Sequence, residues 1–169
     1  MTRAFVTLLV LLASIAAGHA AVLYYAPSFI MNRAMSAMEE RGIPTHQFRL
    51  SPRMTPQTQT VVRPSPDLAY SLCLFDFSDG VDAVEIEMAA WKPYGSVSLF
   101  DAQTNNFMSF RSEGKPFSMR LLPPSSEPDG FDIPAPTDKG IILIRRLAPT
   151  EQAYREVERI AVKDVCREG

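Results

Sequence analysis

The side chains able to do directional chemistry gather in two stretches. Tyr70 and Asp76 lie in DLAYSLCLFDF, residues 67–77, where Asp76 interrupts an apolar run. Asp101, Thr104, Asn105 and Asn106 follow in YGSVSLFDAQTNNF, residues 94–107, with Arg111 just beyond. If these residues line one cleft, they would bind a polyol, sugar or amide through directed hydrogen bonds. Asp76 and Asp101 would serve as an acid/base pair, as in glycoside hydrolysis, if held about 5 to 10 Å apart. The structural alternative is plainer. Asp and Asn side chains imitate backbone turns, so Asp101 to Asn106 would build a tight polar turn. Asp76, if buried, must find donors. Arg63 would pair with Asp67 or reach loop carbonyls.

Other chemistries are excluded more firmly. The chain has two histidines and two cysteines, too few for a Cys/His zinc site. No metal and no cofactor is expected. No G-x-S-x-G occurs, and His46, the base a Ser-His-Asp triad would need, lies in a proline-rich stretch. No glycine-rich phosphate loop is present. Asp129 and Asp132 flank Gly130 without the register of a calcium loop. A formal charge of −2 and no basic stripe argue against nucleic acid. Arg145 and Arg146 would attract phosphate or a partner carboxylate, but a gatekeeper pair on an edge strand is the commoner explanation.

The elements that must position these residues read as mainly β, an antiparallel sandwich or barrel-like sheet. Residues 67–77 are apolar on both faces and suit a central strand. Asp79-Gly80 signals a hairpin leading into Val84, Ile86 and Met88, which alternate with Glu85 and Glu87. Further strands are expected at 94–100, 107–111, 117–122 and 141–147, with a short one at Val61-Val62. Residues 123–140 hold five prolines and two glycines and read as a long loop. Thr150 caps an amphipathic helix over 151–165, with Tyr154, Val157, Ile160, Ala161 and Val165 on one stripe.

Ahead of this body, no charge separates Arg3 from Arg33, and the core of that stretch is Ala4 to Ala26. About 20 apolar residues in a helix cross a bilayer. Tyr24 and Tyr25 close the run where interfacial aromatics belong. The rival is a cleavable signal cut after Ala20, since Gly18-His19-Ala20 places small residues suitably. The chain stays apolar through Val22, Leu23, Phe29, Ile30 and Met31, which favours an uncut anchor contacting lipid through residues 4–26. His19 is read as a neutral imidazole bonded to a helix carbonyl. Residues 28–60 follow as a juxtamembrane helix and a proline-rich connector, with Pro27-Ser28 ending the span or opening a new turn. The helix carries Phe29, Met31, Ala34, Met35 and Met38 on one face, and Gly42 ends it. That face packs on the domain or lies on lipid. From Glu39 onward there are 15 basic and 19 acidic residues, the balance expected of the exported side. Cys73 and Cys166 would then be oxidised to a disulfide, pinning the last helix to the sheet. Neither belongs to a CxxC motif.

RPSPDLAYS at 63–71, DFSDGV at 76–81 and YGSVSLFDAQTNNF at 94–107 resemble the bacterial domain-of-unknown-function family 1254. Its pattern is RP-x-PD-x-x-YS, a DLS-x-GP hairpin and Y-x-S-x-x-x-x-D-x-x-T-N-N-F. The similarity runs from about Arg33 to Leu147 and includes a basic strand like IILIRRL. Short relatives share the apolar leading helix and proline-rich connector, and longer ones carry a second domain. Val81 departs from the pattern, standing where the hairpin usually has proline. The resemblance implies a β-rich fold and no established activity. The expectation is a membrane-tethered, extracytoplasmic β-domain from residue 61 to residue 169 that binds an envelope component, such as another envelope protein. The alternative is a carboxylate-dependent hydrolase.

Overall fold

The computed structural model describes residues 2–55 and 64–169. The Val61-Val62 strand and Arg63 lie outside the described residues.

Helix α1 (Thr2–Glu40) comes first, its 39 residues running through Pro27 without a break. At 1.5 Å per residue it is about 58 Å long, roughly twice a hydrocarbon core. Pro27 therefore neither ends the helix nor starts a separate one. The helix ends in a Schellman motif: Gly42 N–H donates to the Glu39 carbonyl (2.8 Å) and Ile43 N–H to the Met38 carbonyl (3.0 Å). Gly42 has φ 75°, the left-handed conformation that this cap requires.

Among the described residues, nine strands follow in two sheets. They are β1 (Arg49–Leu50), β2 (Leu68–Asp76), β3 (Val84–Met88), β4 (Gly95–Asp101) and β5 (Asn106–Arg111), then β6 (Phe117–Leu122), β7 (Ile133–Pro134), β8 (Lys139–Leu147) and β9 (Val165–Glu168). Helix α2 (Glu151–Ala161) precedes β9. The front sheet is ordered β1-β2-β8-β4-β5 and is antiparallel throughout. The back sheet is ordered β7-β6-β3-β9, with β7 parallel to β6. Side chains alternate between the faces of a strand. Cys73, Phe75, Val97, Leu99, Ile142 and Ile144 of the front sheet meet Val84, Ile86, Met88, Met119, Leu121 and Cys166 of the back sheet in one core. The fold is an open sandwich, not a closed barrel.

The outer face of the front sheet explains why β2 is apolar on both sides. Leu74, Ile141 and Phe100 stand in one register row across β2, β8 and β4. Met31 and Met35 of α1 pack on that row. Methionine's flexible thioether suits such an irregular contact.

Four local expectations change. Asp79-Gly80 does not close a hairpin, because β2 and β3 belong to different sheets; Gly80, at φ 82°, turns the chain across the sandwich instead. The region 123–140 is not all loop: Ile133–Pro134 adds an edge strand, and β8 begins at Lys139. Helix α2 stops at Ala161 rather than 165, and Val165 to Glu168 form a strand. The cause is Asp164, whose carboxylate turns into the interior. Lastly, Arg145 and Arg146 are not on an edge, since β8 lies between β2 and β4. Alternation sends Arg145 to the outer face and Arg146 into the core, where it is fully buried against Asp164.

The Cys73–Cys166 disulfide is present. It joins β2 to β9 and so ties sheet to sheet, not helix to sheet.

Candidate functional site

The register of the front sheet sorts the candidate residues. Tyr70 pairs with Arg145, Arg145 with Ser96, and Ser96 with Arg111. Paired residues share a face, so these four form a polar row across β2, β8, β4 and β5 on the outer side. The neighbouring row runs Leu72, Leu143, Ser98 and Ser109. Arg145 Nη1 donates to Ser98 Oγ at 3.0 Å, and Ser98 Oγ lies 3.0 Å from Ser109 Oγ. Ser109 is bonded in turn to Asn106, whose amide Nδ2 donates at 2.9 Å. The Tyr94 hydroxyl donates to Ser96 Oγ at 2.9 Å, and the Arg111 guanidinium sits 5.4 Å from the centre of the Tyr94 ring. That separation is a cation–π contact. The Tyr70 hydroxyl accepts from the Ser65 amide at 2.9 Å.

Asp101, Thr104 and Asn105 belong to a different structure, the β4–β5 turn. Asp101 is 3% exposed. Its Oδ1 accepts from the amides of Gln103 and Asn105, both at 2.8 Å, and its Oδ2 from the Asn105 side-chain amide at 2.8 Å. Thr104 takes φ 67° at the turn's tip. The carboxylate is thus a scaffold for its own turn, as short polar side chains often are.

Asp76 ends β2 on the outer face. It is held by Lys139 Nζ at 2.8 Å and by the Ser78 amide at 2.8 Å. Burial pushes its pKa up, but hydrogen bonds to Lys139 and Ser78 outweigh this and hold it below the usual carboxylate value. The same contact raises Lys139. Asp101 lies across from Gly140, and Gly140 across from Phe75, a core residue. Asp101 therefore emerges on the inner face and Asp76 on the outer one. The two carboxylates do not converge on one cleft, as an acid/base pair must.

The structure thus brings Tyr70, Asn106 and Arg111 together on one face and sets Asp76, Asp101, Thr104 and Asn105 apart from them. It adds Arg145, Ser96, Ser98, Ser109 and Tyr94. The signal for the serines was available in the alternation of Ser96 and Ser98 with Val97 and Leu99. The Arg145-Arg146 pair suggests an edge strand, but β8 lies between β2 and β4.

His46 forms a second polar cluster. Its Nε2 accepts from the Asp76 amide at 3.1 Å, and its Nδ1 lies 3.0 Å from Glu168 Oε1. A main-chain N–H can only donate, so Nε2 carries the lone pair and Nδ1 the proton that Glu168 accepts. The imidazole resembles the base of a triad, yet its free lone pair is spent on backbone and faces no nucleophile. Among the described residues, no three of His, Cys, Asp and Glu converge as metal ligands.

Two apolar grooves flank the domain. One, of about 580 Å³, lies between the end of α1 and β1, with Met38, Ile43, Leu50 and Leu72 in its wall. The other, of about 570 Å³, lies between α2 and the β3–β4 connection, beside Trp91 and Pro149. Neither contains any residue of the polar face.

Comparison with known proteins completes the picture. No curated protein matches the chain. It is similar in fold to the VPA0106 protein from Vibrio parahaemolyticus, with a TM-score of 0.67 at 10% identity over 87% of this chain and 36% of that one. A putative uncharacterized protein from Burkholderia cenocepacia matches with a TM-score of 0.42 at 12% identity over 63% of this chain and 32% of that one. The chain spans about a third of the length of these solved structures. Residues 45–167 match the family model described as protein of unknown function DUF1254, a region holding every described strand and α2 except the last residue of β9. The chain belongs to the DUF1254 family.

Proposed function

We propose that the protein is a single-pass, membrane-tethered binding module of the cell envelope, with its sandwich domain on the extracytoplasmic side of the inner membrane. The observation that carries this reading is the unbroken course of α1. Its leading part, from Phe5 to Leu23, exposes Val, Leu and Ile side chains on all sides with no charged residue among them. A helix apolar all round requires lipid or protein cover. Its trailing part docks on the front sheet through Met31 and Met35, 5% and 7% exposed. The tether is thus rigid, and it holds the domain directly at the bilayer. One further fact supports an exported domain. Disulfides persist in oxidising compartments, and Cys73–Cys166 joins the two sheets.

The binding role follows from what α1 leaves uncovered. The helix covers the Leu74–Ile141–Phe100 row, and the row of Tyr70, Arg145, Ser96 and Arg111 lies beyond it. Such a tether concentrates the module near envelope partners, a gain in effective concentration without new contacts.

Protease treatment of spheroplasts tests the reading. The sandwich should be digested while a fragment containing residues 4–26 stays with the membrane. A mature chain beginning at Ala21, or a domain protected until the membrane is lysed, would overturn it.

A further inference from the structure

We propose that the uncovered half of the front sheet's outer face binds an acidic, hydroxyl-rich glycan, with Arg145 and Arg111 taking its carboxylates. The proposal rests on the binding-module reading and names the ligand class of that module.

Charge sets two residues of this face apart. Three other strand arginines have carboxylate partners. Arg120 pairs with Asp132 at 3.0 Å, Arg167 with Glu85 at 2.6 Å, and Arg146 with Asp164 at 2.6 Å. Arg49, on the β1 edge, bonds the Gly42 carbonyl. Arg145 and Arg111 differ: among the described residues, neither is bonded to a carboxylate. This is unexpected in a domain where acidic groups outnumber basic ones. The register shows why. On the outer face of β2, β8, β4 and β5, the one acidic residue is Asp76, and Lys139 already neutralises it. Asp76 also lies beyond the Leu74–Ile141–Phe100 row, so α1 stands between it and Arg145. The open half of the face therefore carries two cations and no anion.

The remaining groups on this half specify more than charge. Arg145 is half-buried, and Ser98 holds one of its nitrogens, which fixes the plane of the guanidinium. An oriented fork matches a carboxylate at two points, and its ordering cost is already met. Arg111 is oriented by the Tyr94 ring. The two arginines flank β4 in the same row, two strand spacings or roughly 10 Å apart. That separation suits successive acidic units of an extended chain better than one small anion. The exposed Ser109 hydroxyl and Asn106 amide and the Tyr94 hydroxyl lie on the same face and both donate and accept, while Ser96 and Ser98 are buried beneath it and hold Tyr94 and Arg145 in place. A surface of hydroxyl and amide groups beside two guanidiniums complements a chain of hydroxyls and carboxylates. The groups sit on paired strands of a sheet, not on loops, so their spacing is fixed before a ligand arrives.

The test uses the full chain in detergent micelles and polygalacturonate as the probe. Binding is followed by calorimetry at low salt and compared with neutral dextran. The wild-type chain should bind polygalacturonate and not dextran. Arg145→Gln and Arg111→Gln should each weaken binding by about tenfold, as expected for losing a charge-assisted contact. Both variants should keep the wild-type melting temperature, because neither side chain reaches the core. Equal binding by the wild type and the double variant overturns the proposal, as does equal binding of dextran. Weak binding that Arg155→Gln reduces as much as Arg145→Gln also overturns it, since Arg155 lies on α2 and general charge would then be the cause. Micelles remove the membrane from the measurement, so failure here leaves the tether reading to its own protease test.

Discussion

Arg146 and Asp164 form a two-point ion pair sealed between the sheets, with Nη1–Oδ2 at 2.7 Å, Nη2–Oδ1 at 2.6 Å and both side chains 0% exposed. The pair also gathers the end of β3: Arg146 Nη2 donates to the Ala89 carbonyl, and Asp164 accepts from the Ala89 amide. Strand β8, the turn after α2 and the β3–β4 connection thus meet at one point. Removing a single partner strands a charge in the interior. Asp164→Ala should therefore cost about 3 to 5 kcal/mol. Replacing the pair together, Arg146→Met with Asp164→Leu, should recover much of that loss, since buried pairs are near break-even against apolar substitutes. Urea unfolding of the two variants checks this. A single Asp164→Ala variant as stable as wild type would refute it.

Cys73 and Cys166 are separated by 93 positions, and both are buried. Opening a bond between β2 and β9 frees the sheets from each other in the unfolded chain. Replacing both residues with serine should lower stability by about 2 to 5 kcal/mol. In the native protein, thiol reagents should label neither residue, and non-reducing peptide mapping should recover one linked pair. Labelling of both without reductant would contradict the bond.

How much of this was readable before folding depends on the range of the interaction concerned. Alternation in 67–77, 84–88 and 141–147 is local, and it located β2, β3 and β8. Thr150 capping α2 is equally local, and its side chain does accept from the Ala153 amide. The cysteine pairing was legible because there were only two. What failed depends on partners far along the chain. The stripe Tyr154, Val157, Ile160, Ala161 and Val165 continues past Ala161, but Arg146 draws Asp164 inward and breaks the helix. Asp79-Gly80 has the composition of a hairpin, yet nothing local states that β2 pairs with β8. The candidate site suffered most. Whether Asp76 and Asp101 share a face depends on their register against Lys139 and Gly140, and that register is set by the whole sheet.

Asp76 and Lys139 make stability depend on pH at both ends. Asp76 has a folded pKa below its ordinary 3.8, so it binds a proton less readily folded than unfolded. Its contribution is present above that ordinary value and is lost as pH falls through the lower, folded one. Lys139 is raised above 10.5, chiefly by its hydrogen bond to Asp76. Its contribution is present below 10.5 and is lost as pH climbs through the folded value. Asp76→Asn should flatten both limbs. Denaturant midpoints measured from pH 2 to 5 would show this, and parallel acid limbs in the two proteins would count against it.

Gly140 illustrates a sequence feature whose reason is purely steric. A methyl group there would clash with the Phe100 carbonyl and the Phe75 ring. The carbonyl belongs to the neighbouring strand and has little room to move. Gly140→Ala should destabilise by about 1 to 3 kcal/mol, the usual cost of overpacking. A thermal melt matching wild type would show that the strands can part more easily than this packing implies.

Asp101 and Asn106 separate a scaffold role from a surface role within one motif. Asp101 is buried and holds two main-chain amides and the Asn105 side chain. Asn106 is exposed, and its side chain bonds only Ser109 among the described residues. Asp101→Ala removes all three hydrogen bonds that hold the turn and should cost about 2 to 4 kcal/mol. Asn106→Ala removes an exposed bond and should change stability by no more than about 0.5 kcal/mol. The turn should therefore collapse with one substitution and survive the other. If Asn106→Ala instead destabilises as much as Asp101→Ala, the polar face takes part in holding the turn. Its side chains would then be structural, and the case for a ligand there would lose its independence from the fold.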